Sequence, residues 1–120
     1  MISNETNLLL WKRGEPDFQW GGRRFETIQP LLSVCLLPDN KGVAFVIRFD
    51  EQTLPEEPNV FVVQQQEKIK PVLVHDDDGR LVRMIGCYSS NKTLILKGAN
   101  SFEYLLEMDS LTILEKRYYR

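Results

Sequence analysis

The sequence has one histidine, two cysteines and no apolar run approaching the ~20 residues of a membrane span. Each shortage removes a class of function. The lone His75 cannot supply a zinc ligand set by itself, and Cys35 and Cys87 are not a C-x-x-C pair. A Gly-x-Ser-x-Gly elbow is missing, as are the glycine-rich loops that cradle phosphates or dinucleotides. Two cysteines do not make the disulfide framework of a small secreted domain. Both sit in apolar surroundings, 32–37 and 84–88, which suits buried free thiols; a bridge between them stays open. The first residues lack a positive n-region, and Leu8-Leu9-Leu10-Trp11 is too short for a signal h-region, so the expected location is the cytoplasm. No metal or cofactor is expected, and the chain is read as not an enzyme.

Charge of one sign is also lacking. Fifteen Lys and Arg face 17 Asp and Glu, a net charge of -2 with a sequence pI near 5.4. A surface that binds nucleic acid all over is usually basic. A local basic patch survives this argument, because net charge hides distribution. At 120 residues and 14.0 kDa the chain suits one domain, 1–120, burying roughly two-thirds of its unfolded surface.

No stretch of ten or more residues carries a clean 3.6-residue stripe. What is present instead is short apolar or alternating runs, separated by turn residues every eight to twelve positions, the pattern of an all-β fold. In 102–108, Phe102, Tyr104, Leu106 and Met108 fall on one side and Glu103 and Glu107 on the other, so this run reads as a half-buried strand. Asp109-Ser110 turns the chain, and 111–114 starts the return. Residues 31–37 and 43–49 flank Pro38-Asp39-Asn40-Lys41-Gly42 and read as a second hairpin. The near-continuous hydrophobicity of 43–49 implies a strand covered on both faces. A third hairpin joins 72–75 to 80–85 through Asp76-Asp77-Asp78-Gly79, whose glycine supplies a left-handed residue. Weaker strands are expected at 8–12, 24–28, 60–65 and 93–97. Residues 14–22 and 50–59 read as loops, the second acidic and solvated.

The expected fold is therefore all-β: an antiparallel meander of about eight to ten short strands, closed as a small barrel or packed as a sandwich, with at most one short helix. The unit of apolar strand, Asp-rich glycine turn and apolar strand in 72–85 resembles part of a β-propeller blade. Hairpins in general produce it, and a closed propeller needs at least four blades of roughly forty residues, more than this chain holds.

The acidic tip at 76–78 lacks the spacing of an EF-hand loop and reads as a solvated turn. The basic-aromatic segments are more informative. Trp11-Lys12-Arg13, Trp20 to Phe25 and Lys116 to Arg120 hold seven of the fifteen cations beside aromatics. Phe18, Trp20, Arg23, Arg24, Lys116, Arg117, Tyr118 and Tyr119 are the candidate partner-binding residues. Trp, Tyr and Arg dominate protein hot spots. The same residues stack bases in single-strand binders. The first expectation is a non-catalytic protein-interaction module: an adaptor, inhibitor or assembly subunit. A single-stranded nucleic-acid-binding barrel and a barrel for a small apolar ligand are the alternatives. The expected partner is another protein, with nucleic acid or a second copy of the chain behind it, and no membrane.

Overall fold

The computed structural model describes residues 8–64 and 68–119. It is all-β, with three antiparallel sheets and none of them closed. The first sheet is β1 (Leu9–Trp11), β2 (Asp17–Trp20) and β3 (Arg23–Glu26). The second is β4 (Leu31–Leu36), β5 (Gly42–Ile47), β6 (Val60–Gln64) and β7 (Lys70–Pro71). The third is β8 (Met84–Ser90), β9 (Thr93–Gly98), β10 (Phe102–Glu107) and β11 (Ile113–Tyr118). In each sheet spatial order follows chain order, as short links require. One 3-10 turn, Pro38–Asn40, interrupts the strands.

The sheets stack as layers, and alternation along β5 shows how. Val43, Phe45 and Ile47 point into a cluster with Phe18, Trp20 and Phe25 of the first sheet. Ala44 and Val46 point the other way, into a cluster with Leu94, Leu96, Tyr104 and Leu106 of the third. All six β5 residues are buried, which explains the unbroken apolar run. The middle sheet therefore separates the outer two. Among the described residues no sheet closes, so of the two expected arrangements the barrel is corrected to stacked open sheets.

The hairpins at 31–47 and 102–118 form as the sequence implies, the second with its return starting at Ile113. Tyr104, Leu106 and Met108 are buried, as the alternation requires. Residues 72–83 differ from expectation. Their turn forms around Gly79, at φ +80°, but the ladder shrinks to one bridge, His75 to Leu81. The regular strand begins only at Met84 and runs through Ser90. It is joined to β9 by Asn91 and Lys92, whose φ values of 49° and 69° are those of a tight hairpin turn. Residues 14–22 also differ: they contain β2. The expected end of strand 60–65 at Gln65 lies outside the described residues.

Asn59 joins the second sheet to the third. It is 2% exposed, and its Nδ2 donates to the Ile47 carbonyl at 3.0 Å and the Met84 carbonyl at 2.7 Å. The Met84 N–H donates back to its Oδ1 at 2.9 Å. Such a buried amide is stable only because these bonds are made. Gly42 marks another close approach. A Cβ there would overlap the Val63 carbonyl oxygen on the neighbouring strand. Gly42→Ala is expected to cost about 2–3 kcal/mol through the β5–β6 displacement it forces. Urea unfolding would measure this, and an unchanged midpoint would contradict the packing.

Candidate functional site

The candidate residues fall on the two outer layers, apart from each other. Phe18 and Trp20 lie on β2 facing the middle sheet, 1% and 3% exposed. The Phe18 ring stacks on Phe25 at 4.9 Å between centroids and leans on Phe45 at 5.0 Å. The Trp20 indole N–H is buried without a partner. These two are core residues, a correction to the reading of 14–22 as a loop that presents aromatic anchors. Arg23 lies over the Phe25 ring at 4.8 Å. Arg24 pairs with Asp17 at 2.7 Å and Glu26 at 3.3 Å, and the Asp17 hydrogen bond raises its pKa.

Lys116, Arg117, Tyr118 and Tyr119 cluster at the far layer. Lys116 Nζ lies 3.4 Å from Asp77 and 4.4 Å from the Phe102 ring centroid. Arg117 Nε donates to Glu103 Oε1 at 3.0 Å, and the Tyr88 hydroxyl donates to Glu103 Oε2 at 3.0 Å. These bonds let Glu103 lie buried on the outer side of β10. The bond to Glu103 raises the Arg117 pKa; loss of hydration, then the Glu103 contact, raises that of Tyr88. Lys97 lies over the Tyr88 and Tyr119 rings at 5.7 and 5.5 Å. The Tyr119 hydroxyl donates to the Gly98 carbonyl at 2.8 Å. The basic-aromatic segments of the first sheet and that of the third thus do not form one face, because the middle sheet stands between them. The run's last residue, Arg120, lies outside the described residues.

The informative feature is the strand that carries three of these residues. Among the described residues β11 hydrogen-bonds only to β10 and forms the edge of the third sheet. Ile113, Leu114 and Tyr118 on it are 47%, 61% and 65% exposed. The sequence reading picked out the basic-aromatic end but passed over Ile113 and Leu114. Their signal in the sequence is an apolar pair that opens a strand otherwise reading Glu-Lys-Arg-Tyr.

A cleft of about 750 Å³ opens between the 50–56 loop and the 73–83 excursion, lined by Phe49, Leu73, His75, Arg80, Leu81 and Arg83 among others. Arg83 straps its rim: Nη2 donates to the Thr53 carbonyl at 3.4 Å and to the Leu54 carbonyl, and the guanidinium lies 5.4 Å from the Phe49 ring centroid. At the acidic tip, the Asp76 carboxylate accepts from the Arg80 and Asp78 backbone N–H groups, which lowers its pKa. Its oxygens thus serve the turn. Among the described residues, no group of three or more His, Cys, Asp or Glu is placed to hold a metal ion. No helix among them is long and apolar enough to cross a membrane.

No family model matches this chain, and no curated protein does. Among solved structures, the chain is similar to BamB from Moraxella catarrhalis, a β-propeller, at a TM-score of 0.57 and 6% identity. The match covers 100% of this chain and 37% of that one, so the chain spans well under half the length of its neighbour. At this identity the likeness concerns the fold: each four-stranded sheet is arranged as a propeller blade is.

Proposed function

We propose that the protein is a non-catalytic protein-interaction module whose docking element is the β11 edge. The observation that carries this is the exposure of Ile113, Leu114 and Tyr118 on an edge strand without proline. An unpaired edge offers backbone donors and acceptors to an added strand, and its side chains set specificity.

Charge selects the occupant. In an antiparallel pair related by a two-fold axis, opposed residues share a face, so the axis passes through one residue. The two registers that overlap most of β11 oppose Glu115 to itself or Lys116 to itself. Each places like charges on the axis, and only the second offsets this, by setting Glu115 across from Arg117. A different strand escapes this conflict. The favoured partner is an extended peptide with an acidic residue opposite Lys116 and apolar residues opposite Leu114 and Tyr118.

Selection of phage-displayed heptapeptides on the protein tests this. Enriched peptides should be acidic at the centre and apolar at the flanks. They should bind Leu114→Asp and Tyr118→Asp variants at least ~10-fold more weakly. Leu114→Asp should melt as the parent does, whereas Tyr118→Asp gives up an edge-on contact with the Phe102 ring and should melt only slightly lower. Failure to enrich any sequence, or equal binding to the variants, would dispose of the proposal.

A further inference from the structure

Two thiols meet where the second and third sheets pack together. Cys35 on β4 lies directly across from Ala44 in the β4–β5 ladder. Cys87 on β8 comes to the same point from the third sheet, its Sγ 3.6 Å from the Ala44 carbonyl oxygen and 3.6 Å from Ser33 Oγ. Cys35 packs against the cluster that holds both Ala44 and Cys87. Ser33 fixes the two strands against each other. Its Oγ accepts from the Cys87 N–H at 3.1 Å, and its hydroxyl donates to the Cys87 carbonyl at 3.2 Å. Both cysteines are free thiols; Cys87 is buried, while Cys35 is half-buried and within reach of solvent.

We propose that Cys35 and Cys87 are an oxidation site, which a hydroperoxide converts into a disulfide between the second and third sheets. Access sets the order of events: Cys35 is half-buried and Cys87 buried, so a peroxide meets the Cys35 sulfur first. Contact with Cys87, then burial, holds the Cys35 pKa high and makes this first step slow, whereas contact with Cys35 lowers the Cys87 pKa and favours its thiolate in the second. The peroxide delivers one oxygen to the Cys35 sulfur as its O–O bond breaks, leaving a sulfenic acid and releasing water or an alcohol. The Cys87 thiolate then attacks that sulfur. The S–S bond forms, the S–O bond breaks, and hydroxide leaves as water with the proton from Cys87. Two thiols lose two electrons and two protons, and the peroxide is reduced. The product ties residues far apart in sequence and so restricts the unfolded chain.

The test treats the reduced full chain with hydrogen peroxide, traps it with an alkylating reagent and maps its peptides. The expected product lacks two hydrogens, carries no added oxygen and contains a Cys35–Cys87 linked peptide. Its melting temperature should rise by ~5 °C or more, and a thiol reductant should reverse the rise. Cys35→Ser and Cys87→Ser should each abolish the shift. If the buried Cys87 variant fails to fold, the half-buried Cys35 variant carries the comparison. Three results would overturn the proposal: oxygen added to both sulfurs without a link, links between molecules only, or inert cysteines in a tube where added glutathione is oxidised.

Discussion

Trp20→Ala is expected to lower the stability of the folded chain by about 3–5 kcal/mol, and its melting temperature by roughly 10–20 °C. The indole fills the space between β2 and the middle sheet, beside Phe18, Val34 and Phe45. Removing it leaves a cavity that two packed sheets cannot close without moving against each other. Its N–H has no partner, so part of the burial gain is already spent on an unmet donor. Trp20→Phe removes that donor and keeps most of the ring, and should cost much less, about 1 kcal/mol. Thermal unfolding of the two variants separates a core tryptophan from a surface anchor. An unchanged melting curve for Trp20→Ala would return the residue to the surface.

Asn59→Leu should be nearly as damaging, at about 3 kcal/mol. The isosteric side chain fills the space but leaves the Met84 N–H and the Ile47 and Met84 carbonyls unpaired between sheets. Asn59→Asp adds a test by pH. An ionised carboxylate would face those two carbonyl oxygens, so the folded state raises the pKa of the new acid. A group whose folded pKa is raised contributes most below its unfolded pKa, and that contribution fades as pH rises through the folded value. The Asp variant should therefore be closer to the parent in stability near pH 4 than at pH 7. Denaturant titrations at both values check this, and a gap that widens on acidification would contradict the bonding.

The legible parts of the fold were those in which local pattern and burial agree. The run at 43–49 is apolar on both faces, and β5 is the strand buried on both faces. The alternation from Phe102 to Met108 survives as β10 and the turn after it. Gly79 takes the left-handed conformation that the Asp-Gly step implied. Other parts were hidden. Gly14, Pro16, Gly21 and Gly22 make 14–22 look like loop, yet Asp17-Phe18-Gln19-Trp20 alternates between them and needs only four residues. β8 carries Gly86, Ser89 and Ser90, poor strand formers held in place by the apolar β9. Residues 80–83 have the composition of a strand, but Arg83 spends its side chain on the 50–58 loop, and one bridge is all the ladder that forms.

Of the candidate site, the Lys116–Tyr119 segment was legible because cations and aromatics are visible as letters. That its strand is an edge was not, since edge status depends on which layer lies beyond it. The same holds for the separation of the two basic segments. Stacking order is set by nonlocal packing of β5, and no local spacing encodes it.

Residue-resolved hydrogen exchange of the full chain tests the stacking and the free edge together. With a middle sheet covered on both faces, the amides of Gly42–Ile47 are expected to be the slowest to exchange, opening only with global unfolding. The β11 amides that point away from β10 should exchange at once. A β11 protected as strongly as β5, or a β5 that exchanges as fast as β11, would contradict the layered arrangement and the open docking edge.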